Sequence, residues 1–190
     1  IGMFYNARFP ARAKGHDWTG VLPGDTSTTL WKSYLPWRAD PMVVDPPSGW
    51  VGNSNNTPFL STAPADEQDP ASFPVEMGVE KFVTNRALRY QALFAALGDK
   101  PISRDDLLRI KFDKGYEKDG WAGRWIARLM AVDTANAPDL AAAQRLMAGW
   151  DWTLDGKGAA DTFVTVVIAP AARTAYLGVP LADPAASLRE

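Results

Sequence analysis

The chain has 190 residues, 46% of them hydrophobic, enough to bury the core of one ordinary domain. With 20 Lys and Arg against 22 Asp and Glu, the net charge of −2 gives neither nucleic acid nor an anionic membrane surface an electrostatic footprint. There is no cysteine and one histidine, which excludes disulfides, thiolate metal sites, a cysteine nucleophile and an imidazole zinc cluster.

The first residues, Ile1 to Asn6, have neither the basic start nor the apolar length of a signal peptide. They read like the interior of a strand, and with no initiator Met the chain is expected to be a piece of something longer. The aromatic pattern from Gly2 to Phe9 predicts a strand ended by Pro10. Arg12 to Asp17 is a polar loop, Leu22-Pro23-Gly24-Asp25 a turn, and Met42-Val43-Val44 and Gly49 to Asn53 are two further strand candidates. Residues 1–60 are thus expected to be β-rich with long, proline-interrupted loops, and Phe59 to Pro74 an exposed acidic connection.

Helical texture then takes over across 77–150. Phe82, Ala87, Leu88, Leu93, Phe94 and Leu97 recur at helical spacing, with Gly98 as a C-terminal cap. Ser103-Arg104-Asp105-Asp106 resembles a capping box with Asp in place of Glu. A third helix is expected over Gly123 to Val132, and a fourth from near Asn136, with Pro138 and Asp139 in its first turn. The β-branched run within 160–170, Thr162 to Ile168, fits a buried strand or a buried helix equally. No stretch reaches the ~18 consecutive apolar residues of a membrane helix.

The densest chemistry lies in Pro46-Pro47-Ser48-Gly49-Trp50-Val51-Gly52-Asn53-Ser54-Asn55-Asn56-Thr57-Pro58. Asn-Gly punctuation reads as a turn, yet an Asn amide is also a donor that never titrates and suits a developing oxyanion. A serine triad is disfavoured: the single base candidate, His16, is followed directly by Asp17, and adjacent side chains in an extended segment point apart. Arg86 and Arg89 share a helix face, either as a solvated pair or with one guanidinium fork fixing a catalytic amide or carboxylate. Asp17, Asp66, Glu67 and Asp69 are oxygen-ligand candidates whose ordinary reading is a solvated surface. The eight tryptophans are core or line a binding surface, and a non-catalytic Trp-rich ligand-binding module is the rival to any enzymatic reading.

Arg8-Phe9-Pro10-Ala11-Arg12-Ala13-Lys14-Gly15-His16-Asp17, then Leu22-Pro23-Gly24, then Pro46-Pro47-Ser48-Gly49-Trp50 to Asn55-Asn56-Thr57-Pro58 resemble, in order and spacing, the β chain of the penicillin amidase family. The resemblance is tight over Tyr5 to Pro58 and looser through Arg86. It implies an α+β chain, part of the four-layer αββα sandwich of N-terminal-nucleophile hydrolases. It implies amide hydrolysis by a Ser whose own α-amine is the base, in an acylase found in the periplasm or secreted. Asn55 matches the oxyanion donor and Arg86 the supporting arginine. No cofactor is required, although some members bind calcium through positions matching the Trp18 carbonyl and Asp66.

Two departures accompany the resemblance. Ser27, Ser33, Ser48, Ser54 and Ser61 are all internal, so the nucleophile is expected on another segment or chain of the same acylase, and this chain alone is expected to be inactive. Ser54 stands where penicillin-specific members carry an aromatic, so a phenylacetyl preference does not follow. The sequon Asn55-Asn56-Thr57 is read as accidental, because a catalytic Asn cannot carry a glycan.

Overall fold

Strand character over residues 1–60 condenses into two short strands. In the computed structural model, which describes residues 1–5, 7–177 and 183–189, β1 (Gly2–Phe4) pairs antiparallel with β2 (Met42–Val44) in the register Gly2↔Val44, Met3↔Val43, Phe4↔Met42. The β-rich front half expected from the sequence is therefore mostly turns and single 3-10 turns at Ser27–Thr29, Trp37–Ala39, Pro70–Ser72 and Val75–Met77. Pro10, Pro23, Pro36, Pro41, Pro46 and Pro47 lack the N–H that a ladder needs, which limits pairing here. Gly49 to Asn53 is not a strand either. The side-chain oxygens of Asn53 and Asn56 capture the N–H groups of Asn55 (2.8 Å) and Ser54 (2.7 Å), turning the backbone on itself.

The chain divides into two compact units, Ile1–Phe82 and Val83–Glu190. The first is held by Phe9, Phe59, Met77 and Val79, with Tyr5, Leu35 and Phe73 packed on them. Tyr5 stacks on Phe9 at 5.2 Å and Phe59 meets Phe73 at 5.1 Å between ring centroids.

The second unit is helical: α1 (Asn85–Leu97), α2 (Arg104–Lys111), α3 (Trp121–Met130), α4 (Pro138–Ala148), α5 (Ala159–Leu177) and α6 (Pro184–Ser187). Thr84 caps α1 by accepting from Ala87 N–H, and Gly98, at φ +59°, ends it in a backbone conformation that glycine adopts without strain. The Ser103–Asp106 capping box opens α2 as expected. The ambiguous run Thr162 to Ile168 lies inside α5. Val164, Val167, Ile168 and Ala171 are its buried apolar positions, an i, i+3, i+4, i+7 stripe that only a helix aligns.

That stripe packs against Trp125, Ile126 and Leu129 of α3 and Leu140 and Met147 of α4. The Trp125 indole N–H donates to the Val167 carbonyl at 2.6 Å, satisfying a polar atom inside the core. Gly123 permits the tight start of α3, since a Cβ there would sit 1.6 Å from the Lys118 carbonyl oxygen. No described helix is long and apolar enough to cross a membrane.

Candidate active site

The Asn-rich stretch is a closed loop built from its own polar groups. Gly52 N–H donates to the Ser61 carbonyl at 2.7 Å and so closes its base. Asn56 crosses the interior: its Nδ2 donates to the carbonyls of Thr57 (2.7 Å) and Leu60 (2.9 Å), while its Oδ1 accepts from the N–H and the hydroxyl of Ser54. All four hydrogen bonds available to that amide are thus made within the loop. Thr57, Ser61 and Thr62 are buried beneath it.

Glu67 anchors the far side by accepting the backbone N–H groups of Ser61 and Thr62, the latter at 2.7 Å. Burial pushes the Glu67 carboxyl above the ordinary glutamate value, against the lowering effect of those two amides.

Asn55 sits at the exposed tip with φ +58°, in the left-handed region that few residues other than Gly, Asn and Asp adopt. A strained backbone of this kind persists where the surroundings over-determine it. It lines a cavity of about 500 Å³ in the first unit, together with Tyr5, Gly52, Asn53, Asn56 and Glu80. The Tyr5 hydroxyl donates to Glu80 Oε2; burial first, and then Glu80, pushes the phenol up to about 12. The two amides of the pair therefore have different work: Asn56 holds the loop, and Asn55 faces the cavity.

Arg86 occupies the first turn of α1 in the second unit, with an exposed side chain, so the two sequence-derived site residues fall in different units. Its neighbour on that face, Arg89, fixes carboxylates within the second unit. It bonds Asp113 through Nε (2.8 Å) and Nη2 (2.9 Å), and Glu117 through Nη1 (2.6 Å). Asn85 braces the same segment, donating to the Gly115 carbonyl and accepting Glu117 N–H, each at 2.9 Å.

His16 and Asp17 do not act together. Asp17 Oδ1 accepts from the Thr19 hydroxyl (2.6 Å) and N–H (3.0 Å), which holds its carboxyl below the ordinary aspartate value. His16 packs edge-on against Trp18. For calcium, the donors in hand are few. One oxygen of Asp66 accepts Ser48 N–H at 2.8 Å, and the described residues hold no group of three or more His, Asp or Glu placed for a metal. A calcium ion takes six to eight oxygens, so Trp18 and Asp66 do not by themselves make its cage.

The sequence profile of the penicillin amidase family matches residues 1–180. The chain belongs to that family. It is similar to penicillin G acylase of Escherichia coli, 40% identical over 58 residues that make up 30% of this chain and 7% of the relative. Penicillin acylase 2 proenzyme of Pseudomonas sp. (strain SE83) is 38% identical over 56 residues, again 30% of this chain and 7% of that protein. The aligned stretch is thus a small fraction of these relatives.

Family membership gives no support to the ligand-binding module. The tryptophans divide: Trp125 and Trp150 are buried in the core of the helical unit, with Trp121 and Trp152 packed on it, whereas Trp31 and Trp37 of the first unit are exposed. Within this penicillin amidase-family chain, sequence reasoning missed Tyr5 and Glu80 and the loop-holding roles of Asn56 and Glu67. The Asn pair itself was visible, but its division into a structural and a presented amide depends on which carbonyls the loop brings together.

Proposed function

We propose that the chain is part of an N-acyl amide hydrolase of the periplasm or the extracellular space, with the αββα sandwich completed by other segments or chains. A Ser at the N-terminus of one of those chains attacks the amide carbon, and its own α-amine takes the hydroxyl proton. The tetrahedral intermediate expels the amine, which leaves with that proton, and water then hydrolyses the acyl-enzyme to the free acid. Asn55 donates its side-chain N–H to the oxyanion, and Arg86 supports the amide and the nucleophile's amine.

The observation that carries this reading is the loop itself. A neutral amide stands at φ +58° on the wall of a cavity, while its neighbour spends every hydrogen bond holding it there. Preorganised donors of this kind are worth roughly 2.7–4 kcal/mol each to acyl transfer.

The test is to purify the intact protein from its native host, sequence every N-terminus and trap the acyl-enzyme with a slowly turned-over N-acyl ester. One chain beginning with Ser, acylated on that residue, is the expected result. Acyl transfer to an internal residue, or no chain with an N-terminal Ser, refutes the reading.

A further inference from the structure

The cavity beside Asn55 is lined by neutral groups with one exception. Asn53, Asn55 and Asn56 contribute amides, Met3 and Phe4 apolar surface, and among the described lining residues only Glu80 carries a charge. Glu80 is partly buried, at the cavity's edge. Its Oε2 accepts from the Tyr5 hydroxyl, and among the described residues no cation lies within ion-pairing distance of it.

Burial and Glu80 push the phenol that holds it upward, so it remains a donor throughout the physiological range and orients the carboxylate. Tyr5 is itself fixed by stacking on Phe9 in the core of the first unit. A carboxylate held rigidly in a cavity and left without a counter-ion is complementary to one kind of occupant.

We propose that Glu80 is a specificity-determining residue that selects substrates bearing a protonated amino group near the scissile amide. This rests on the acylase reading of the same cavity. The ammonium can be carried by the amine half of the substrate or by the acyl half; the chemistry at Glu80 is the same. A half-exposed ion pair of this type discriminates by up to about fivefold.

The experiment measures kcat/KM of the intact, processed acylase on matched substrates. One pair shares an acyl chain joined to 1,4-diaminobutane or to 4-aminobutanol; a second pair carries the ammonium or hydroxyl at the end of the acyl chain. Wild type is expected to favour the ammonium member of one pair by up to about fivefold, and that pair identifies the half that meets Glu80. Glu80→Gln should bring the ratio to near one, while Tyr5→Phe, which keeps the charge, should retain most of the preference.

A readout independent of variant folding is inhibition of wild type by butylammonium but not by butanol. Hydrolysis of all four substrates without discrimination, or a preference that survives Glu80→Gln, overturns the inference and leaves the acylase reading intact. An equal loss on charged and neutral substrates overturns it too, assigning Glu80 to the reaction machinery instead. If wild type hydrolyses no N-acyl amide at all, the acylase reading falls, and this one with it.

Discussion

Replacing Asn55 separates the cost of its backbone conformation from the catalytic role proposed for its side chain. Its backbone is left-handed, and an ordinary L-residue there costs about 1–2 kcal/mol, whereas glycine does not pay that cost. Its side chain is the proposed oxyanion donor, worth about 2.7–4 kcal/mol, or 10²- to 10³-fold in kcat. Asn55→Gly should therefore lower kcat by roughly two to three orders of magnitude with unfolding free energy within about 1 kcal/mol of wild type. KM should change little, because the lost interaction belongs to the transition state. Asn55→Ala should show the same loss of kcat and be about 1–2 kcal/mol less stable than the glycine variant. The assay is steady-state hydrolysis of an N-acyl amide by the intact protein, paired with denaturant unfolding. A glycine variant that keeps more than about a tenth of wild-type kcat would show that the amide is not the donor. Alanine and glycine variants of equal stability would refute the strain argument.

Asn56→Ala removes four hydrogen bonds from inside the loop; chemical unfolding should report a loss of about 2–3 kcal/mol, and turnover should fall because Asn55 loses its support. Arg89→Met leaves Asp113 and Glu117 facing each other's surroundings without their shared cation, and should cost about 3 kcal/mol at pH 7. Arg89 holds the Asp113 carboxyl below its ordinary value, so that contribution is complete above an unfolded-state pKa near ~4 and is lost as pH falls through the lower folded value. Unfolding titrations from pH 7 to pH 2 should show wild type losing its advantage over Arg89→Met only below about pH 4, and a constant gap would contradict the pairing. Gly123→Ala drives a methyl group into the Lys118 carbonyl and should destabilise by about 3 kcal/mol or more in thermal unfolding; a neutral effect would mean the start of α3 is looser than described.

The helical section was legible because its signals are local. The Ser103–Asp106 box, Pro138 and Gly98 act within a turn of the residues they punctuate, so sequence order and spatial order coincide. The identity of α5 was not legible, since Thr162 to Ile168 is mostly β-branched with only Thr162 and Thr165 polar, and only packing against α3 and α4 shows which positions are inside. The front half misled for a related reason. Aromatic and β-branched residues suggest strands, but β-pairing needs a partner with free N–H groups, and prolines and Asn side chains remove many of them. At the candidate site, Asn55 was singled out through its register with the Gly-His-Asp segment. The loop-anchoring role of Glu67 and the place of Glu80 were not legible, because each acts on residues that are neighbours only after the chain folds.

Thr57, 2% exposed under the loop, has a consequence for how the protein is made. Asn55-Asn56-Thr57 is an acceptor triplet for N-linked sugar, and a transferase must reach the hydroxyl residue as well as the asparagine. Once the loop has formed, that hydroxyl residue is out of reach, so the triplet is readable only on a chain that has not yet folded. In a glycosylating compartment, modification and loop closure become competing rates. Such a preparation emerges as two species, one with Asn55 facing the cavity and one with a bulky glycan where the amide should be.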